Sequence, residues 1–296
     1  GKIIGKDSLY MLLPHSNCLT RFEKNLCSHC QSGNYNLCSC MNHAGLAAGE
    51  PGGFSEYGEV PNSQLKDCSN LSPELAVFTE PLSCVIRSWK KLSNSVKKKI
   101  GIVGLGPIGC LHFLYGKILY PDAEFFLYEK DALRVKTFKK IFKDFCYKIN
   151  DLTYDLDISI MANSQSSGFE DSLKMLKKDG SLLLFSGFNQ VNYRYNNFFP
   201  EFIHREEFIF YDSNIYFVGS SGYQMEDLND SIKTLSENPQ FLKIVTGRVY
   251  GLDSKKLKSI YCENESFNES VLIRDISGKL SHHIKIHYYV NNFDDK

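Results

Sequence analysis

A chain of 296 residues is long enough for two domains with cores of ordinary size. Its 34 Lys and Arg residues equal its 34 Asp and Glu residues, so no overall field draws nucleic acid or an anionic membrane, and neither is expected as a partner. The least polar stretch, Ile100–Gly116, is broken by glycines and a proline and reads as a strand, a turn and a buried helix, not as a membrane span.

The chain opens on "GKIIGKDSLYMLLP", which has the look of a strand inside a domain, with no signal peptide and no initiator methionine. The expectation is that a segment of several dozen residues precedes it. Next comes "LCSHCQSGNYNLCSC" (26–40). Five of the ten cysteines (Cys18, Cys27, Cys30, Cys38 and Cys40) crowd these first forty residues. The rest (Cys68, Cys84, Cys110, Cys146 and Cys262) are scattered singly, mostly among apolar neighbours, as buried thiols are. A secreted disulfide scaffold would be shorter and would spread its cysteines, so a reducing, cytoplasmic setting is expected.

Cys27-x2-Cys30-x7-Cys38 has the rhythm of a metal loop. A CxxC turn sets two thiolates on one side of an ion, a short arm brings a third, and a fourth closes the tetrahedron that Zn²⁺ prefers. Cys18 is the expected fourth ligand and Cys40 the reserve; His29, inside the turn, would point away. A redox pair or no function at all would have the same spacing. A redox CxxC usually opens a helix after a strand, however, and Gly33, Asn34 and Asn36 make this stretch a loop. Four thiolates leave no position open for substrate, so such a site would be structural.

Further on, "EPLSC" places Glu80 at a helix start, where the macrodipole alone favours a carboxylate. "KKIGIVGLGPIGCLHFLYGKILY" is the clearest functional signal. Ile100–Val103 is a short apolar run, Gly104-Leu105-Gly106-Pro107-Ile108-Gly109 spells GxGxxG, and helical spacing follows through Tyr120. Gly104 permits the turn, Gly106 lets a pyrophosphate approach the backbone, and Gly109 lets helix and strand pack closely. Pro107 suits the first helical turn, and the helix amino end, at Ile108, would face the phosphates. A second strand, "EFFLYE", ends at Glu129, about twenty residues beyond Gly109. A carboxylate there accepts from both ribose hydroxyls and repels a 2′-phosphate, which argues for NAD over NADP. Lys130 and Arg134 are close enough to meet a 2′-phosphate and complicate that reading.

The alternation continues with a helix over about 131–142, a buried strand "DISIMA" (157–162) and a helix "FEDSLKMLKK" ending at Asp179-Gly180. Two more strands are expected, "SLLLFSG" (181–187) and "IYFVGSS" (215–221). Strands alternating with helices imply a parallel, doubly wound sheet with ligand at the strands' carboxyl ends. Small or polar residues sit there: Asn163, Ser186, Gly187, Ser220 and Ser221. After Asn238 the pattern weakens. "HHIKIHYYV" (282–290) alternates like a strand, and its His282, His283 and His287 are read as strand surface.

The cysteine loop, "GGFSEY", "EPLSC" and the glycine loop, in that order, resemble the medium-chain dehydrogenase/reductase superfamily, most of all its zinc-dependent polyol dehydrogenases of the sorbitol and polyol-phosphate type. The resemblance runs from "DSLYMLLP" to about Ser236. It implies an α/β chain: a Rossmann doubly wound parallel sheet plus a partial GroES-like, mainly-β domain. The implied division is residues 1–85 for the partial catalytic domain, 86–222 for the NAD-binding domain, and 223–296 returning to the first. It implies a structural zinc on four cysteines spaced x2, x2, x7. Cys27, Cys30 and Cys38 match the last three; Lys24 holds the first position, so Cys18 would serve with "LTRFEKN" bulged between. Glu80 would lie at or next to a catalytic zinc whose other ligands, a cysteine and a histidine-glutamate pair, fall upstream of Gly1.

The activity implied is zinc-polarised hydride transfer between NAD and a secondary alcohol, a polyol or sugar or its phosphate, in a homo-oligomer. Arg87, Arg194 and Arg205 are candidates for a substrate phosphate, and His43 is a loop histidine more in keeping with a solvated role. Two alternatives remain: a non-catalytic, zinc-stabilised nucleotide-binding protein, and a zinc-independent quinone or enone reductase.

Overall fold

The structure is a computed structural model that describes residues 7–43, 60–92, 98–151, 153–163, 166–185 and 207–244. "GGFSEY", Ser186, Gly187, Arg194, Arg205, the "HHIKIHYYV" strand and the His43 side chain lie outside the described residues. The chain divides into two compact units, Gly1–Ser83 with Tyr223–Lys296, and Cys84–Gly222.

The first unit has little regular structure. It contains strands β1 (Tyr10–Leu12) and β2 (His15–Ser16), helix α1 (Ser28–Gln31), strands β3 (Asn42–His43) and β4 (Leu65–Asp67), and helix α2 (Pro73–Ala76). β1 pairs antiparallel with β4, and β2 with β3, as two separate two-stranded sheets. Ser72 caps α2, its side chain accepting from the Leu75 amide, and Pro73 occupies the first helical turn. Helix α3 (Thr79–Lys90) follows, and the division between the units falls inside it. Glu80 in its first turn and Arg87 and Lys90 in its last both suit the macrodipole. Leu82, Val85, Ile86 and Trp89, at helical spacing, are its buried stripe.

The second unit is the doubly wound layer. In chain order it has β5 (Lys99–Val103), α4 (Pro107–Leu119), β6 (Glu124–Tyr128), α5 (Ala132–Ile141), β7 (Lys148–Ile149), β8 (Leu156–Met161), α6 (Ser166–Lys174), β9 (Leu176–Leu184), β10 (Phe208–Asp212) and β11 (Ile215–Gly219). The sheet order is β10-β11-β9-β8-β5-β6-β7. All its pairings are parallel except β10 with β11. β5 therefore lies between β6 and β8, and the winding reverses there, which is where such sheets bind ligands. One core cluster packs Leu156, Met161, Phe169, Leu182 and Phe217 against the sheet. In a second group Phe113, fully buried, meets Phe125, Phe138, Phe142, Phe145 and Tyr147 edge-on at 5.3–5.7 Å.

Two expectations change. The helix expected to run to Asp179-Gly180 stops at Lys174, and β9 begins at Leu176. Met175 and Leu176 are buried and Leu176 pairs with Leu156, so burial in the sheet overrides the helical run. Asp179 takes a left-handed φ of 61°, and the β8–β9 register shifts between Leu156 and Ile158. The sheet also gains an antiparallel edge strand. Ser213 (φ 49°) and Asn214 (φ 63°) form a two-residue turn with both φ positive, which matches the right-handed twist of a hairpin and joins β10 to β11.

After the sheet, α7 (Met225–Glu237) belongs to the first unit. Its amino end has a capping box of Gln224 and Asp227. Gln224 Nε2 donates to Asn36 Oδ1 at 2.6 Å and to the Gly33 carbonyl at 3.2 Å, and Ser231 Oγ donates to the Thr79 carbonyl at 2.8 Å.

Candidate functional site

The glycine loop makes the turn from β5 into α4. Gly104 has φ +98°, which side chains rarely adopt, and a Cβ on Gly109 would lie 1.9 Å from the Gly104 carbonyl oxygen. Both positions require glycine. A Cβ on Gly106 would meet nothing within 4 Å, so its missing side chain leaves open room. Gly106 is also the N-cap of α4, with no side-chain cap hydrogen bond, and Pro107 follows it in the first turn. The amides of Ile108 and Gly109 therefore lie at an uncapped helix amino end, the arrangement that suits a phosphate.

A cleft opens beside this turn, lined by Gly104, Glu129, Lys130, Arg134, Asn163 and Asp171 among others. Its walls are the carboxyl ends of β5, β6 and β8 and the start of α6. Glu129 is 6% exposed and fully engaged. Its Oε2 accepts from the Leu105 amide at 2.9 Å and from Arg134 Nη1 at 2.7 Å, and its Oε1 accepts from the Asp131 amide at 2.9 Å. Asn150 clamps the Glu129 backbone from the other side, accepting from its amide and donating to its carbonyl, both at 2.9 Å. Glu129 thus braces the glycine turn, a role that pattern reading missed. Residues Gly104, Gly106, Pro107, Ile108, Gly109 and Glu129 come together at one end of the sheet, and a dinucleotide's phosphates and ribose fit this donor and acceptor set.

In the first unit, Cys18, Cys27, Cys30 and Cys38 have sulfurs that all lie within 4.8 Å of one another. The Cys18–Cys38 and Cys27–Cys38 separations are 3.6 and 3.8 Å. Tetrahedral zinc with Zn–S near 2.3 Å separates its sulfurs by about 3.8 Å, so the donor set fits that ion. Local geometry builds the cluster. Cys27 is the N-cap of α1, Cys30 lies in that single turn, and a 3-10 turn at Tyr35–Leu37 delivers Cys38. The CxxC therefore does open a short helix where the sequence suggested loop, though no strand leads into it. Cys40 is exposed and outside the group.

The thiols are unequal. The Cys30 amide beside its sulfur, with the neighbouring thiols, lowers Cys27 to about 6, whereas burial pushes Cys30 up to about 12 and raises Cys38. An ion held here must displace protons from the buried thiols, so acid weakens its binding.

Glu80 is buried in the first turn of α3. His15 Nε2, from β2, stands 3.9 Å from its Oε1, and the Tyr223 ring lies 6.1 Å from the His15 ring. No local pattern in the sequence singles out His15, since only the fold brings β2 to α3. Among the described residues these two donors fall short of the three protein ligands that a catalytic zinc uses. Among the described residues no second group of three donors gathers there. Arg87, the candidate for a substrate phosphate, is instead held by Glu207, donating from Nε at 2.8 Å and from Nη2 at 2.7 Å.

No family model matches the chain. It is 25% identical over 236 residues to a sorbitol dehydrogenase from Halalkalibacterium halodurans, covering 76% of this chain and 65% of that protein. The chain thus spans just under two thirds of that relative's length. It is 35% identical over 89 residues to an Escherichia coli L-idonate 5-dehydrogenase (NAD(P)(+)), covering 29% of this chain and 26% of the relative. In structure it resembles a zinc-binding dehydrogenase from Sinorhizobium meliloti bound to NADP, with TM-score 0.65 and 18% identity over 85% of this chain and 72% of that one. The chain is thus similar in sequence to sorbitol and L-idonate dehydrogenases, and it shares its fold with a zinc-binding dehydrogenase.

Proposed function

We propose that the protein is a dehydrogenase that binds a nicotinamide adenine dinucleotide at the switch point of the sheet and oxidises a secondary alcohol of a polyol, a sugar or a sugar phosphate. The observation that carries this is the meeting of Gly104 and Glu129 in one cleft, with the uncapped start of α4 on the same glycine turn and the Leu105 amide bound to the Glu129 carboxylate. Gly104 and Gly109 hold the turn, the amides at the start of α4 would face the pyrophosphate, and Glu129 would meet the adenosine ribose only through the lone pairs that its three protein donors leave. The chemistry such a cofactor supplies is a hydride acceptor for the alcohol carbon, the hydroxyl proton leaving to solvent. The names of the relatives, sorbitol and L-idonate dehydrogenases, point to hydroxyl-rich substrates.

Cys18, Cys27, Cys30 and Cys38 would hold a structural zinc that fixes the loop between β2 and β3. Glu80, with His15 beside it, would lie at a catalytic zinc only with donors from beyond the described residues. The described cysteines are all free thiols, which supports a cytoplasmic setting. No described helix is long and apolar enough to cross a membrane. A small-molecule substrate and a homo-oligomeric assembly complete the proposal.

The test is NAD⁺ reduction, followed by nicotinamide absorbance, over a panel of polyols, sugar acids and their phosphates. Turnover that is lost in Glu80→Ala while NAD⁺ binding persists supports the zinc enzyme. Turnover unchanged in that variant favours the zinc-independent reductase. Dinucleotide binding without turnover favours the non-catalytic reading.

A further inference from the structure

Helix α7 joins the cysteine centre to the His15–Glu80 pair, and the inference drawn from it rests on the zinc reading of the four cysteines and extends it. At the amino end of the helix, Gln224 Nε2 donates to Asn36 Oδ1 at 2.6 Å and to the Gly33 carbonyl at 3.2 Å. A carbonyl only accepts, so the amide nitrogen of Gln224 must be the atom that faces this arm. Gly33 and Asn36 both lie between Cys30 and Cys38. Asn36 is buried in the 3-10 turn that delivers Cys38. Gln224 therefore grips the short arm between two of the four sulfurs.

The same helix reaches the His15–Glu80 pair at two points. Tyr223, next to Gln224, holds its ring 6.1 Å from the His15 ring. Two turns beyond Gln224, Ser231 Oγ donates to the Thr79 carbonyl at 2.8 Å, and both residues are fully buried. Thr79 immediately precedes Glu80. Asp227, also buried, locks the first turn, its Oδ2 accepting from the Gln224 amide at 2.8 Å. Packed side chains, hydrogen bonds and a rigid helix are the elements that carry a displacement from one site to another. Here they run unbroken from the cysteine arm to both members of the pair.

We propose that Gln224 is a positioning residue. Through its grip on the arm between Cys30 and Cys38, an ion at the cysteine centre fixes the amino end of α7, and Tyr223 and Ser231 then hold His15 against Glu80. The cysteine centre thus shapes the candidate catalytic pair as well as its own loop.

The test reads His15 directly, as the rate at which diethyl pyrocarbonate acylates its imidazole in the zinc-loaded full chain, followed by mass spectrometry of the His15 peptide. The His15 side chain is 23% exposed in the closed arrangement. Gln224→Ala, with its zinc retained, is expected to raise the rate about two- to fourfold as the Tyr223 cover loosens. Gln224→Glu separates positioning from helix capping and gives a second reading should the alanine variant fail to fold. A glutamate suits a helix amino end at least as well as a glutamine, but it has no proton to donate to Asn36 or Gly33, so it is expected to behave as the alanine does. Cys30→Ser, which loses the ion, should give the same rise with Gln224 intact. His112, fully buried in the sheet unit, is the control and should not change.

Wild-type rates at His15 in both Gln224 variants overturn the inference and leave the zinc centre standing. So does a rise in Gln224→Ala alone, which would mark a cap, and so does a matching rise at His112, which would mark general unfolding. Loss of zinc from the Gln224 variants would make the residue a support of the centre only and also overturns the positioning role. A wild-type chain that binds no zinc overturns both readings.

Discussion

The two units hold themselves together by different means. The sheet unit has seven paired strands among the described residues and a fully buried aromatic group around Phe113. The cysteine region has strands of two or three residues, and its hydrophobic cluster consists of Cys18, Cys30 and Cys38 with Leu26, Cys27, Tyr35 and Met41 packed on them. Sulfur is doing there what leucine and phenylalanine do in the sheet. Thiols that close together bury little apolar area, so that region would draw its stability from what the sulfurs bind, while the sheet draws most of its own from burial.

The contrast can be broken most forcefully at the cysteines. Cys30→Ser removes one of four donors to a site whose zinc supplies about 10–16 kcal/mol in small zinc domains. Bound zinc, measured by elemental analysis, is expected to fall from about one per chain to near zero. Protease cleavage should then concentrate in the cysteine loop. Trp89, the chain's single tryptophan, belongs to the sheet unit, so its fluorescence should report an unchanged sheet. Loss of both signals together would show that the units do not stand apart.

The reverse experiment is Phe113→Ala. Deleting the ring at the centre of the aromatic group is expected to cost the sheet about 3–5 kcal/mol, read as a lower midpoint in denaturant followed at Trp89. Zinc content should not change. A smaller effect is expected from acid. Burial acts to raise the Glu207 carboxyl, but Arg87 and Lys91 outweigh it and hold it below its ordinary 4.5. A lowered folded pKa means that the stability it contributes is complete above pH 4.5 and is lost as pH falls through the lowered value. The sheet's melting temperature should therefore drop in that window, and Glu207→Gln should flatten the drop while lowering stability at neutral pH.

Several features were legible from local pattern. The glycine positions follow from a turn that excludes side chains, and Asp131 announces α5 as a residue that caps it. The end of α6 was not legible, because Met175 to Lys178 continue a helical run and only pairing of Leu176 with Leu156 draws them into β9. β10 was hidden by a Ser213-Asn214 turn that lacks the usual glycine. His15 and Glu80 meet through elements far apart in the chain, and nothing in either neighbourhood signals the other.

What the sequence by itself determined is therefore what depends on residues a few places apart: the cysteine rhythm, the glycine turn, the strand–helix alternation and an acid at the end of β6. Only the tertiary structure decided which cysteines share a centre, that Glu129 is bound by Arg134 and the Leu105 amide, and where strands begin and pair. The reason is physical. Backbone sterics and capping act within a turn, whereas the surroundings of a buried charge or thiol are set by segments that meet only when the chain has closed on its core.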